Sequence, residues 1–164
     1  MQTFTYPWFF RLLYRYGNIP ANILLLFYLY LSAEGLDDNL LNIVSLLLIM
    51  TIIYFLNKQY FSLYKILPYR IDADNEKITG SDFLFSKKKI SFLYSEISDL
   101  KGGIFEGRLS GVMRIYNGNT GSSMGFFNKI KNADKLQTLI LSKVKREIYD
   151  QVIEKIGLKR NIKK

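Results

Sequence analysis

Cysteine and histidine are both absent from the chain, and much of the usual chemistry of small proteins goes with them. Without a thiol there is no disulfide and no thiolate nucleophile, and without either residue there is no ordinary zinc site and no imidazole acid or base. No G-x-x-x-x-G-K stretch occurs, and no paired carboxylates stand at a suggestive spacing. These absences point away from an enzyme, and no catalytic residue, metal or cofactor is expected. The lack of cysteine also fits a reducing compartment.

Charge is missing from two long apolar runs. Residues 19–33 read IPANILLLFYLYLSA and residues 40–56 read LLNIVSLLLIMTIIYFL, with EGLDDN between them. At about 1.5 Å per residue, a bilayer core of about 30 Å needs roughly 17 to 25 residues. The second run suffices, and the first must borrow from Tyr16 to Asn18. A buried helical pair in a soluble protein would keep a polar stripe, whereas Leu46 to Met50 with Ile52 and Ile53 are apolar around the whole helix. A cleaved leader fits less well, because no small-residue cleavage site stands out and a second run follows. The expectation is a transmembrane hairpin over residues 19–56.

The turn carries Glu34, Asp37 and Asp38, whereas the flanks carry Arg11 and Arg15 on one side and Lys58, Lys65 and Arg70 on the other. The positive-inside rule then places both termini in the cytoplasm, in a multi-pass protein of the cell membrane. Residues 57–164 hold 21 of the 23 basic groups and 11 of the 14 acidic ones, a net of +10. A basic domain tethered this way faces an anionic leaflet, where each Lys or Arg near the surface adds about 1 kcal/mol of attraction. Nucleic acid, the other polyanion, is disfavoured as a partner because the hairpin already sets the location.

The opening residues 1–18 are aromatic and basic and are expected to form an interfacial segment, either a short helix starting after Pro7 or a loop of belt aromatics. Trp8, Arg11, Arg15, Lys58 and Tyr60 are the expected membrane-interface residues. Inside the hairpin, folding the chain about Leu36 puts Asn22 level with Thr51, a candidate helix-packing hydrogen bond worth about 0.6 kcal/mol. No ionisable group lies in either run, so a transport pathway is not indicated. Residues 57–65 read as a juxtamembrane linker ended by Pro68.

Beyond residue 66 the pattern changes to six short β-type stretches: KILPYRID, EKITGSDFLFS, KKISFLY, ISDLKGGIF, GVMRIYNG and SMGFFNKI. Turn chemistry separates them at DADNE, SKK, GRLSG and NGNTG. One long helix follows, NADKLQTLILSKVKREIYDQVIEKIG, with Asn132 as cap, Asp134 in the first turn and Gly157 at the end. Leu136, Ile140, Val144, Ile148, Val152 and Ile156 recur along it every four residues. The expected fold class is α+β: a transmembrane helical hairpin, then a small antiparallel β sandwich or barrel over residues 66–157 closed by a long amphipathic helix, and a basic tail over residues 158–164.

YRIDADNEKITG followed by KKKISFLYSEISDLKGG, and the order of strands before a helix, resembles the pleckstrin-homology superfold, in the bacterial version that a pair of transmembrane helices precedes. That family has seven strands where six are visible. The resemblance implies a binding or scaffolding module without catalytic residues. Lys87, Lys88 and Lys89, with Arg108 and Arg114, are the candidate contacts for an anionic lipid or ligand. A run of three lysines at a turn also serves as a solvated sheet edge that resists pairing. Three classes of function remain open: a membrane-anchored adaptor for a partner protein or the lipid surface, a sensor of a small anionic ligand such as a cyclic nucleotide, and a subunit of a larger membrane complex or a homo-oligomer joined through hairpin and helix.

Overall fold

Where the apolar pattern is uninterrupted the chain is helical, and where it alternates between turn residues the chain is strand. The computed structural model describes residues 1–35 and 40–161, so Asp37 and Asp38 of the expected acidic turn and residues 162–164 of the expected tail lie outside the described residues. Mixed α and β elements result, with five helices and seven strands in two antiparallel sheets among the described residues.

Six strands coincide with the six β-type stretches: β2 (Pro68–Ala73), β3 (Lys77–Phe83), β4 (Ile90–Leu93), β5 (Ile97–Lys101), β6 (Val112–Asn117) and β7 (Ser123–Phe127). The seventh comes from the far end of the chain. β1 (Gln2–Thr5) pairs antiparallel with β2, Phe4 opposite Ile71 and Thr5 opposite Arg70. One sheet runs β1-β2-β3-β4 and the other β5-β6-β7. Residues 1–18 are therefore not one interfacial segment: residues 2–5 complete the sheet. The reason is visible in β1 itself, whose Phe4 is buried in the common core while Lys131 N–H closes on the Thr5 carbonyl at 2.9 Å.

The core is shared by both sheets. Alternation turns Tyr69, Ile71, Ala73, Ile78 and Phe92 inward from the first, and Leu100, Met113, Ile115, Met124 and Phe126 inward from the second. The stretch ISDLKGGIF does not remain a strand to its end, because Gly102 and Gly103 take φ of +76° and +48° and turn the chain into a short 3-10 segment, Gly103–Glu106. NGNTG behaves as turn chemistry dictates: the Asn117 carboxamide oxygen accepts the N–H groups of Asn119 and Thr120 at 2.8 and 3.1 Å.

The expected C-terminal helix is two helices, α4 (Ala133–Lys143) and α5 (Arg146–Asn161), because Val144 is extended. A repeat of four advances about 40° per step on a helix of 3.6 residues per turn. Over the five steps from Leu136 to Ile156 one straight helix would rotate its apolar residues by about 200°, onto the opposite side. Breaking at Val144 resets the phase, so Leu136 and Ile140 of α4 and Ile148 and Val152 of α5 all reach the core. Asn132 is left-handed and makes no side-chain cap, and the helix runs past Gly157.

Before the sheet come α1 (Trp8–Tyr16), α2 (Asn18–Glu34) and α3 (Leu40–Ile66). Gly17 keeps helical angles, and the break beside it follows from Pro20, which removes the N–H that would reach the Tyr16 carbonyl. α3 passes without interruption through residues 57–65, so the expected linker is helix. Nothing before Pro68 can stop it, and Leu67 N–H still bonds the Leu63 carbonyl at 2.8 Å. Among the described residues, Leu41–Ile66 is the one helix long and apolar enough to cross a membrane, and none of its apolar window is buried inside the protein.

Candidate functional site

The N-terminal helices meet the sheets at a rim where α1 and the end of α3 rest on the sandwich. Tyr14 of α1 stacks on Phe127 of β7 with centroids 4.3 Å apart, and Tyr6, just after β1, accepts the Phe127 N–H at 2.7 Å. Burial pushes the Tyr6 phenol far up, so it stays neutral and serves as a fixed structural partner.

Arg11 and Arg15, two of the expected interface residues, share one acid of the sandwich. Their guanidinium groups donate to the two carboxylate oxygens of Asp82 at 2.6 and 2.7 Å, and Arg15 also lies 4.5 Å from the centroid of the Tyr69 ring. One turn of helix separates the two arginines, so both meet one acid at the end of β3. Desolvation raises the Tyr69 phenol and the facing Arg15 charge pulls it back in part. Arg15 Nε and the Tyr69 hydroxyl are buried without a partner among the described residues.

The helical pair has its own polar seam. Asn22 and Asn57 exchange carboxamide hydrogen bonds, both 2.9 Å, and Asn18 donates to Asn57 at 3.2 Å. Ser45 donates to Ser32 at 2.9 Å, and the Tyr64 hydroxyl reaches the Arg15 carbonyl at 2.8 Å. Thr51 is not the partner of Asn22: its hydroxyl bonds back to the Leu47 carbonyl on its own helix at 2.8 Å. The pairing is displaced by six residues because the helices are staggered about a point later than Leu36. Of the remaining expected interface residues, Lys58 lies over the Tyr54 ring at 5.5 Å and Tyr60 packs partly buried beside Tyr64.

The five expected anion contacts do not converge. Lys88 Nζ donates to the Lys65 carbonyl at the end of α3, 2.9 Å away, and sits over Phe83. Lys87 and Lys89 are exposed beside it in the turn after β3. Arg108 pairs with Glu106 at 3.4 Å in a different loop, and Arg114 stands in mid-strand on the second sheet, opposite Lys101. That same β3–β4 turn carries Phe85, left-handed at φ +59° and 84% exposed, its ring 5.9 Å from Tyr64.

A separate cleft of about 550 Å³ lies on the outer side of β2 and β3, where Arg70, Lys77 and Lys89 surround the hydroxyls of Thr79 and Ser81. Asp72 occupies Arg70 at 3.0 Å and accepts the Thr3 hydroxyl at 2.6 Å. Asp74 accepts two backbone N–H groups, of Glu76 and Lys77, each at 2.9 Å, which hold its carboxyl below the ordinary range. Asp82 and Asn57 carry no motif that sequence could flag, and of the cleft residues Lys89 stood in the lysine run and Asp72 and Asp74 in the DADNE turn that sequence singled out.

Comparison of the chain with family models, with curated proteins and with solved structures finds no match.

Proposed function

We propose that this protein is a non-enzymatic, membrane-anchored adaptor or accessory subunit. In this reading α2 and α3 cross the bilayer as a hairpin and the sandwich, on the cytoplasmic side, binds a partner protein, the anionic membrane surface, or both. One observation carries it: β1 and β2 are neighbours in one sheet, and all three N-terminal helices lie between them. A sheet cannot be divided by a bilayer, so residues 2–5 and 68–73 stay on one side of it. Any crossing by α3 then requires a return crossing by the helix before it, although α2 alone has 17 residues, or about 25 Å at the helical rise. Arg11, Arg15, Lys58 and Lys65 at the sandwich end favour the cytoplasm for that side.

The strand count of seven supports reading the sandwich as pleckstrin-homology-like, although β1 stands before the helices instead of after them. On α5, Tyr149, Ile153 and Leu158 stay exposed while Ile148 and Val152 enter the core. That outer side is where a protein partner fits. A photo-crosslinking residue placed at Ile153 in native membranes should yield a discrete adduct that the same residue at Ser91 does not. Equal yields at both positions, or none at Ile153, contradict the adaptor reading.

The cleft favours a second reading, a sensor of a small anionic ligand whose phosphate would meet Lys77 and Lys89. Nucleotides raising the unfolding temperature of the wild type, and not of Lys77→Gln/Lys89→Gln, would support it. No shift with any of them removes it.

A further inference from the structure

We propose that the sandwich is pinned face-down on an anionic leaflet at two points beside the hairpin: the outer side of α1, and the Phe85 turn with its lysines. This rests on the reading of α2 and α3 as membrane-crossing helices and adds where the folded domain sits relative to the lipid.

The first observation is that α1 is inside out for water. Arg15 and Tyr14 are turned toward the protein by Asp82 and Phe127, and Arg11, half exposed, is held to the same carboxylate at the edge. The side turned away from the protein presents Trp8, 77% exposed, with Phe9, Leu12, Leu13 and Tyr16. An amphipathic helix on a soluble domain does the opposite, burying its apolar side and hydrating its charges. α1 needs a second apolar medium on its outer side, with room at its edge for polar tips.

The second observation is depth. Counting from Leu41, a bilayer core of about 30 Å consumes about 20 residues of α3 and ends near Tyr60. Tyr64 then lies in the headgroup layer, and whatever touches Tyr64 lies there too. Outside α3 it touches the Arg15 carbonyl at the end of α1, at 2.8 Å, the Asn18 carboxamide at the start of α2, at 3.0 Å, and the Phe85 ring. Aromatic residues favour this layer. The left-handed backbone at Phe85 projects the ring outward instead of into the core, and the bond from Lys88 to the Lys65 carbonyl ties the turn to the end of α3.

The third is charge. Lys87 and Lys89 are exposed and make no ion pair among the described residues, and Lys129 sits 5.7 Å from the ring of Phe10 on the same rim. Exposed aromatics ringed by lysines complement a surface of phosphodiesters over acyl chains. A second protein would meet these groups as well, but α1 and the Phe85 turn are joined to the two crossing helices, which places the lipid there first.

Trp8 is the only tryptophan and the chain has no cysteine, so the wild-type chain reports on itself. Full-length protein is reconstituted in lipid nanodiscs of phosphatidylcholine, with and without phosphatidylglycerol. Co-migration with the discs tests the membrane reading alone. Given co-migration, Trp8 emission should be quenched by lipid brominated near the glycerol and little by aqueous iodide. Quenching by iodide and not by brominated lipid overturns the inference while leaving the hairpin standing; shielding from both indicates a protein neighbour and also overturns it. In the second arm a solvent-sensitive dye on Phe85→Cys should shift to the blue, further with phosphatidylglycerol. Lys87→Gln/Lys88→Gln/Lys89→Gln should abolish the phosphatidylglycerol increment, and an increment that survives this triple change overturns the role of the lysines.

Discussion

Asp82 holds two arginines from a backbone position at φ +60°, a conformation that Asp and Asn tolerate better than other side chains. Asp82→Asn therefore removes the charge and keeps the turn. Arg11 is half exposed, and its pair alone is worth less than about 1 kcal/mol. Arg15 is mostly covered and would be left facing an amide and a phenol, so the variant should lose about 1 to 3 kcal/mol in all. Denaturant unfolding in detergent, followed by near-ultraviolet circular dichroism, measures this, and an unchanged midpoint would show that α1 is held by its aromatics alone.

A second residue-scale expectation concerns acid. The Asp74 carboxylate accepts two backbone N–H groups, so its folded pKa lies below the ordinary 3.8. The stabilisation it gives the β2–β3 turn is complete above 3.8 and is lost as the pH falls through the lowered folded value. Carboxyl titration by NMR should place Asp74 below the exposed aspartates; a midpoint at or above 3.8 contradicts the bonding seen. Residues such as Asp74 were legible, since DADNE is turn chemistry within five positions. The pairing of Arg11 and Arg15 was not, because the acid that holds them is about seventy positions away.

At the scale of elements, α2 and α3 are joined by a reciprocal amide pair between Asn22 and Asn57. Asn57→Leu leaves both Asn18 and Asn22 without that partner. In the proposed hairpin this is a contact of the kind that averages about 0.6 kcal/mol between membrane helices and reaches about 1.7, so a loss near the upper value is expected in mixed-micelle unfolding. Thr51→Val should change little, because Thr51 serves only its own helix. The six later strands could be read from the sequence because alternation and turn residues fall within single stretches. The break at Val144 could not, since a four-residue repeat looks continuous until its angular drift is set against a small core.

At the scale of the molecule, β1 is the element that sequence hides and that organises the rest. QTFT offers one buried side chain, Phe4, and its pairing partner lies about sixty residues on, beyond α1, α2 and α3. Joining residues 1–6 to residue 67 by a short flexible linker should give a folded sandwich without α1 to α3. The same chain lacking residues 1–6 exposes the edge of β2, leaves Tyr69 without Tyr6, and should show poorly dispersed amide NMR signals. Equal dispersion in the two would mean that β1 is dispensable.

Because the sheet holds both ends of the helical insert, helices that cross a bilayer must leave and return on one side. Single cysteines at Gln2, Glu34 and Lys145, introduced into a chain that has none, can be tested with a membrane-impermeant maleimide on intact cells. Glu34→Cys should react at once, and Gln2→Cys and Lys145→Cys only after permeabilisation. Reaction of Gln2→Cys and Lys145→Cys on opposite sides, or of all three on the same side, would contradict that arrangement.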